Sequence, residues 1–170
     1  MKNKKKWVLL GIVIFLLILF GLYRYYVYII QDQHSQETTA ITAAKQNTEL
    51  VKVTDTQKSV WDTISWVIEG KDKEQRDLMV WVQFTEDNKL ASGVNAIHSE
   101  LIESGLSEEQ IRSKIINEIP DIEDIRIQPG MYYGEYVWQV YYLEKDHYYY
   151  RFYKFKDGSP VGDRYTLPNR

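Results

Sequence analysis

The sequence has 170 residues, no cysteine, and 21 basic against 24 acidic side chains, for a formal charge of −3. The first thirty residues hold Lys2, Lys4, Lys5, Lys6 and Arg24 and no acid, so the remainder stands at about −8, a sign that disfavours nucleic acid and other polyanions. Without thiols there are no disulfides or thiolate metal sites, so an exported domain must be held by its core alone.

Residues 1–6 form a basic tail, and Trp7 to Leu22 is a run of sixteen residues without a charge or strong polar group. The interfacial residues 23–30 extend it, with Arg24 reaching toward the headgroups, so 7–30 meets the roughly 20 residues that a transmembrane helix needs to cross a lipid bilayer. Lysines precede the run whereas Asp32 and Glu37 follow it. The positive-inside rule then predicts a single-pass protein of the cell membrane, with a cytoplasmic N-terminus and an extracellular C-terminal domain. A cleaved signal peptide is the competing reading. Against it, the apolar core exceeds the roughly 7–15 residues usual there, and Tyr23-Arg-Tyr-Tyr-Val-Tyr28 offers no small-x-small cleavage site.

Residues 31–39 are polar and aperiodic, a short stalk or the frayed start of a helix. Ile41, Ala44, Thr48 and Val51 then recur at helical spacing and predict a helix over 38–53. Residues 57–70, rich in β-branched and aromatic types, read as a strand. The charged stretch Gly70 to Arg76 turns it into a second strand, 78–84. Asp87-Asn88 marks a turn, and 89–103 a less regular extended segment broken at Gly93.

Ser107-Glu-Glu-Gln110 has the form of a capping box, with Leu106 and Ile111 placed for a hydrophobic staple. Ile111, Ile115 and Ile119 line one face of the helix that follows, until Pro120 ends it. Strands are then predicted at 122–128, 132–143, 147–155 and 160–167, with turns at Pro129-Gly130, Glu144-Lys145-Asp146 and Lys156-Asp157-Gly158. The order is helix then strands, repeated: a first α+β unit at 40–104 and a second at 105–170, each a helix packed on an antiparallel sheet. Units of about 65 residues lie near the lower limit for independent stability, so the two are expected to pack together.

Chemistry is sparse. His34, His98 and His147 have neither a second histidine nor a cysteine at ligand spacing and read as surface residues, so no metal, cofactor or catalytic residue is expected. Glu108-Glu109 sits where it favours a helix dipole, and Asp121, Glu123 and Asp124 lack calcium-loop spacing. The conspicuous feature is twelve aromatic residues between Tyr132 and Phe155. Strand alternation puts Tyr136, Trp138, Val140 and Tyr142 on one face and Tyr141 on the other, and separates Tyr148 and Tyr150 from Tyr149 and Tyr153. Both faces of the hairpin are thus aromatic. Cross-strand tyrosine pairs that merely brace it are one account. The other is a partner-binding surface for protein or glycan, built from Tyr136, Trp138, Tyr141, Tyr142, Tyr148, Tyr149, Tyr150 and Tyr153.

Several motifs, in order along nearly the whole chain, resemble the TseB-like (YpmB-like) proteins. They are the basic start and apolar helix, Ala40 with Ala43 and Ala44, Val80-Trp81-Val82, Gly105-Leu-Ser-Glu-Glu109, and Tyr136-Val-Trp-Gln-Val-Tyr-Tyr142. The resemblance implies two cystatin-like or PepSY-like α+β units outside the membrane of a Gram-positive cell. It also implies a non-enzymatic regulator of cell-wall elongation, partnered by a membrane-anchored penicillin-binding protein or another peptidoglycan-synthesis protein. An alternative is a PepSY-type module that inhibits an extracellular protease or holds a peptide. The tyrosine run 148–150 and the segment Ser92 to Ser104 depart from the family pattern.

Overall fold

The computed structural model describes residues 2–168, with side chains described for 6–27 and 33–168. Helix α1 runs from Lys2 to Asn47, so the stretch 31–39 is helical. Its segment Lys6–Val27 has mean hydropathy 2.4 and is exposed throughout, which makes it a candidate membrane span, a character it shares with signal sequences. The side chains of Lys2, Lys4 and Lys5, and those of residues 28–30 that close the expected span, lie outside the described residues. The chain divides into two compact units, 1–38 and 39–170, with the last turns of α1 in the second.

α1 stops at Asn47, six residues before the end that its periodicity predicts, because the side chains of Asn47 and Thr48 donate back to the carbonyls of Ala43 and Ala44, each at 2.8 Å. The Ala44 carbonyl also accepts the Thr48 N–H at 2.9 Å, so these short polar side chains fold back on the last turn, as such residues do where a helix ends. Ala40, Ala43 and Ala44 are buried, and their lack of bulk lets the helix lie close on the first sheet.

That sheet has strands β1 (Lys52–Val60), β2 (Ile64–Lys71), β3 (Asp77–Phe84) and β4 (Ile97–Leu101), antiparallel in the order β1-β2-β3-β4. The predicted strand 57–70 is therefore two strands with a turn at Trp61-Asp62-Thr63. No glycine or proline marks that turn, and β1 is a polar edge strand whose burial pattern shows no clear alternation. The 89–103 segment contributes only β4, with Leu90 bridging to Phe84 and Gly93 at φ 130 where the break was expected.

The second half opens as its sequence predicts. Helix α2 (Glu108–Glu118) begins with the reciprocal capping box between Ser107 and Gln110, and it caps at Ile119 before Pro120. Strands β5 (Ile122–Tyr132), β6 (Glu135–Glu144), β7 (His147–Lys154) and β8 (Pro160–Thr166) form an antiparallel sheet in sequence order. The turn expected at Pro129-Gly130 is absent: β5 continues through both residues, and the turn is Tyr133-Gly134, with φ 46 and 82. Pro129 is tolerated because β5 is an edge strand and need not donate on its open side.

Gly130 has a different reason. A Cβ there would collide with the Gln139 side chain and the Ser59 hydroxyl. The first sheet meets the second at this point: Trp81 Nε1 donates to the Gly130 carbonyl at 3.0 Å, and Gln139 Nε2 donates to Ser59 Oγ at 2.6 Å. Around this joint Val67, Met79 and Trp81 share one core with Ile111 and Ile115 of α2 and with Trp138, Val140 and Tyr153 of the second sheet. The two halves thus pack together, as their size requires. The fold is α+β: an apolar helix, then two four-stranded antiparallel sheets with helices against them.

Candidate functional site

The β6–β7 hairpin fixes where every aromatic side chain points. Lys145 and Asp146 sit at φ 48 and 66, the two-residue turn whose twist matches the flanking strands, and they pair Glu144 with His147. That register puts Trp138 opposite Tyr153 and Tyr142 opposite Tyr149 on one face, and Tyr141 opposite Tyr150 and Leu143 opposite Tyr148 on the other.

The first face is core. Trp138, Tyr142 and Tyr153 are buried, Trp138 Nε1 donates to the Leu106 carbonyl at 2.9 Å, and all three pack in the cluster that holds Ile111 and Ile115. Burial raises the phenol of Tyr142 and pushes that of Tyr153 up to about 12, so neither ionises near neutral pH. These three residues of the expected partner surface offer no surface to a partner. At the margins of the same face Tyr149 lies half-buried under the Arg164 guanidinium, 4.0 Å from its ring, and Arg164 pairs with Glu144 at 2.6 Å. Tyr136, also half-buried, stacks on His98 at 4.0 Å with the rings 5° apart.

The second face carries a connected aromatic tract. Tyr141 stacks on Tyr148 at 5.0 Å and meets Tyr150 at 5.1 Å with 56° between the rings. Tyr150 touches Trp61, which also reaches Phe152 at 4.9 Å and Tyr165 at 5.2 Å. Beyond them the Tyr132 hydroxyl lies 2.7 Å from that of Tyr165. This bond, with burial second, pushes the Tyr132 phenol up to about 12. The tip of the first hairpin therefore covers part of the second sheet's outer face.

Beside Trp61 a cleft of about 370 Å³ stays open, lined by Arg126, Ile127, Gln128, Gln139, Tyr141 and Tyr150. A chain of amides runs along it: Gln128 Nε2 donates to Gln139 Oε1 at 3.0 Å, and Gln139 in turn donates to Ser59. The Arg126 guanidinium lies 5.6 Å from the Tyr141 ring centroid and 3.5 Å from Asp124. Of the eight residues expected at a binding surface, Tyr141, Tyr148 and Tyr150 are brought together here. Trp61, Arg126, Gln128 and Gln139 join them unforeseen. The alternation of β5 against β6 would have placed the last three, had β5 not been cut at Pro129.

The charged groups assemble no second centre among the described residues. His98 Nε2 contacts Glu100 at 2.8 Å, and His147 Nδ1 faces the Lys145 carbonyl at 3.1 Å. Glu108 is held by Arg112 at 2.6 Å. Glu49, Asp72 and Glu74 lie close enough to share a cation, but Arg76 already fills that role, at 3.7, 2.7 and 3.4 Å from them respectively.

Residues 39–83 match the profile of the cell wall elongation regulator TseB-like domain. Among solved structures, the YpmB protein from Bacillus subtilis superposes with a TM-score of 0.65 at 25% identity, over 76% of this chain and 96% of that one. No curated protein sequence matches significantly. The profile match over residues 39–83 and the shared fold make the chain similar to the TseB-like and YpmB-like proteins.

Proposed function

We propose that this chain is a membrane-anchored, extracytoplasmic accessory protein that regulates cell-wall elongation in a Gram-positive cell by binding a penicillin-binding protein. The observation that carries the reading is the match of residues 39–83 to the elongation-regulator domain. The apolar segment Lys6–Val27 supports an anchor, and Lys2, Lys4 and Lys5 before it, with Lys6 at its start, support a cytoplasmic N-terminus. Outside the membrane, 40–104 and 105–170 act as two PepSY-like or cystatin-like units, non-enzymatic and joined by one core. Their accessible tyrosines, Tyr136, Tyr141, Tyr148, Tyr149 and Tyr150, form the recognition surface. Confinement of both partners to one membrane raises their effective concentration, so a weak contact suffices.

Crosslinking in cells followed by purification of the full-length protein tests this. A penicillin-binding protein is the expected major partner, and its absence from the crosslinked material would sink the proposal. Replacing residues 1–30 by a cleavable signal is expected to release a folded protein that no longer restores normal cell width to a deletion strain.

A further inference from the structure

We propose that the cleft lined by Gln128, Gln139, Tyr141 and Tyr150 binds an uncharged N-acetylhexosamine glycan, so that the protein holds wall sugar as well as a protein partner. The choice of a wall-type sugar rests on the functional reading above, whereas the chemistry of the cleft is independent of it.

Three observations favour a sugar. Tyr141 and Tyr150 line the cleft with their rings 56° apart, Tyr141 braced by Tyr148 and by the Arg126 guanidinium, so that Tyr150 offers the main ring surface. Pyranose rings present axial C–H groups that lie on aromatic faces, while their hydroxyls stay at the rim. The floor is polar and fixed: Gln139 is buried and held by Gln128 and Ser59, which leaves the Gln128 carbonyl oxygen to accept from a hydroxyl or an acetamido N–H. No carboxylate is among the lining residues, and Arg126, the one lining charge, is paired with Asp124. A neutral ligand matches that balance, and the acidic exported chain disfavours a polyanionic one.

The position of the cleft bears on a peptide occupant. It lies on the face of the sheet, against β5, β6 and β7, and the edge strand β5 beside it carries Pro129, which has no N–H to give an added peptide strand. A volume of about 370 Å³ falls within the range of small-ligand sites and accommodates a sugar unit with its acetamido group.

The test is calorimetric titration of the full-length protein, in detergent micelles, with chitotetraose, the β-1,4-linked tetramer of N-acetylglucosamine, and with maltotetraose in parallel. Saturable binding of chitotetraose is expected, with maltotetraose at least 10-fold weaker. Tyr141→Ala and Gln128→Ala should each weaken chitotetraose binding at least 5-fold, Tyr141→Phe should stay within 2-fold, and Val94→Ser, in the exposed 85–96 loop, should bind as the parent does. Circular dichroism checks folding, and Gln128→Ala carries the test if Tyr141→Ala does not fold. No binding, equal binding of both sugars, or binding indifferent to Tyr141 and Gln128 overturns the proposal. Capture of a penicillin-binding protein in crosslinked cells is read separately, so loss of the glycan site leaves the partner reading standing, and the reverse.

Discussion

In the first sheet β2 and β3 send Trp66, Ile68, Val80 and Val82 to the alanine face of α1, and Val67, Met79 and Trp81 to the shared core, so both faces are covered. In the second sheet β6 and β7 bury Trp138, Val140, Tyr142 and Tyr153 on one face, while Tyr141, Tyr148 and Tyr150 on the other stay half-exposed. A sheet covered twice needs side chains that fill space closely and leaves no room for a ligand. A sheet covered once can use tyrosine, whose ring packs on its neighbours while the hydroxyl meets water. The half-exposed tyrosines of the second sheet's outer face thus stand apart from the shared core that both sheets build, and substitutions in the two places should differ in size.

The largest effect is expected from Trp81→Ala, which empties the shared core and removes the bond to Gly130, at a cost of roughly 3–5 kcal/mol. Equilibrium denaturation should show one transition for both sheets, shifted as a whole. Two separate transitions would break the idea of a common core.

Asp72→Asn comes next. Burial pushes the Asp72 carboxyl up, but the backbone N–H and guanidinium of Arg76 outweigh it and hold it below the usual aspartate range. A carboxyl depressed in the folded state stabilises the fold above its unfolded value of 3.8, and loses that contribution as pH falls through the lower folded value. The variant should therefore unfold at lower denaturant at neutral pH, and its stability should depend less on acid below about pH 4. An unchanged acid limb would show that this pair contributes nothing.

Ser107→Ala should cost about 1 kcal/mol, because the amide of Gln110 loses its acceptor at the start of α2. Thermal melts of the variant against the parent measure it. The smallest effect is expected on the open face, where Tyr148→Ser removes one stacking partner of Tyr141 at a cost of about 0.5 kcal/mol. A loss as large as that of Trp81→Ala would mean that the outer face is core after all, and that the contrast between the sheets is false.

How much of this is legible in the sequence follows from how local each signal is. Ser107 to Gln110 specifies a helix start by itself, and the alternation around Glu144 to Asp146 sorts the tyrosines onto two faces correctly. The errors arise where distant chain decides. Pro129-Gly130 has the composition of a turn, yet it is strand, because Gly130 makes room for Ser59 some seventy positions earlier. Trp61-Asp62-Thr63 has the composition of a strand, yet it is a turn, whose tryptophan is held by Tyr150, Phe152 and Tyr165. The same long-range packing conceals the cleft: Tyr141, Tyr150 and, by alternation along β6, Gln139 share one face, but Gln128 joins them only through the pairing of β5 with β6.

The placing of Trp61 has an optical consequence. Of the five tryptophans, Trp66, Trp81 and Trp138 are buried and Trp7 lies in the apolar segment of α1, whereas Trp61 is 37% exposed beside Tyr150. In a Trp7→Phe background, a water-borne quencher such as acrylamide would act chiefly on Trp61. Its emission then serves as a built-in lamp beside Tyr150, dimmed by quencher while the second sheet's outer face is open and shielded when something covers it.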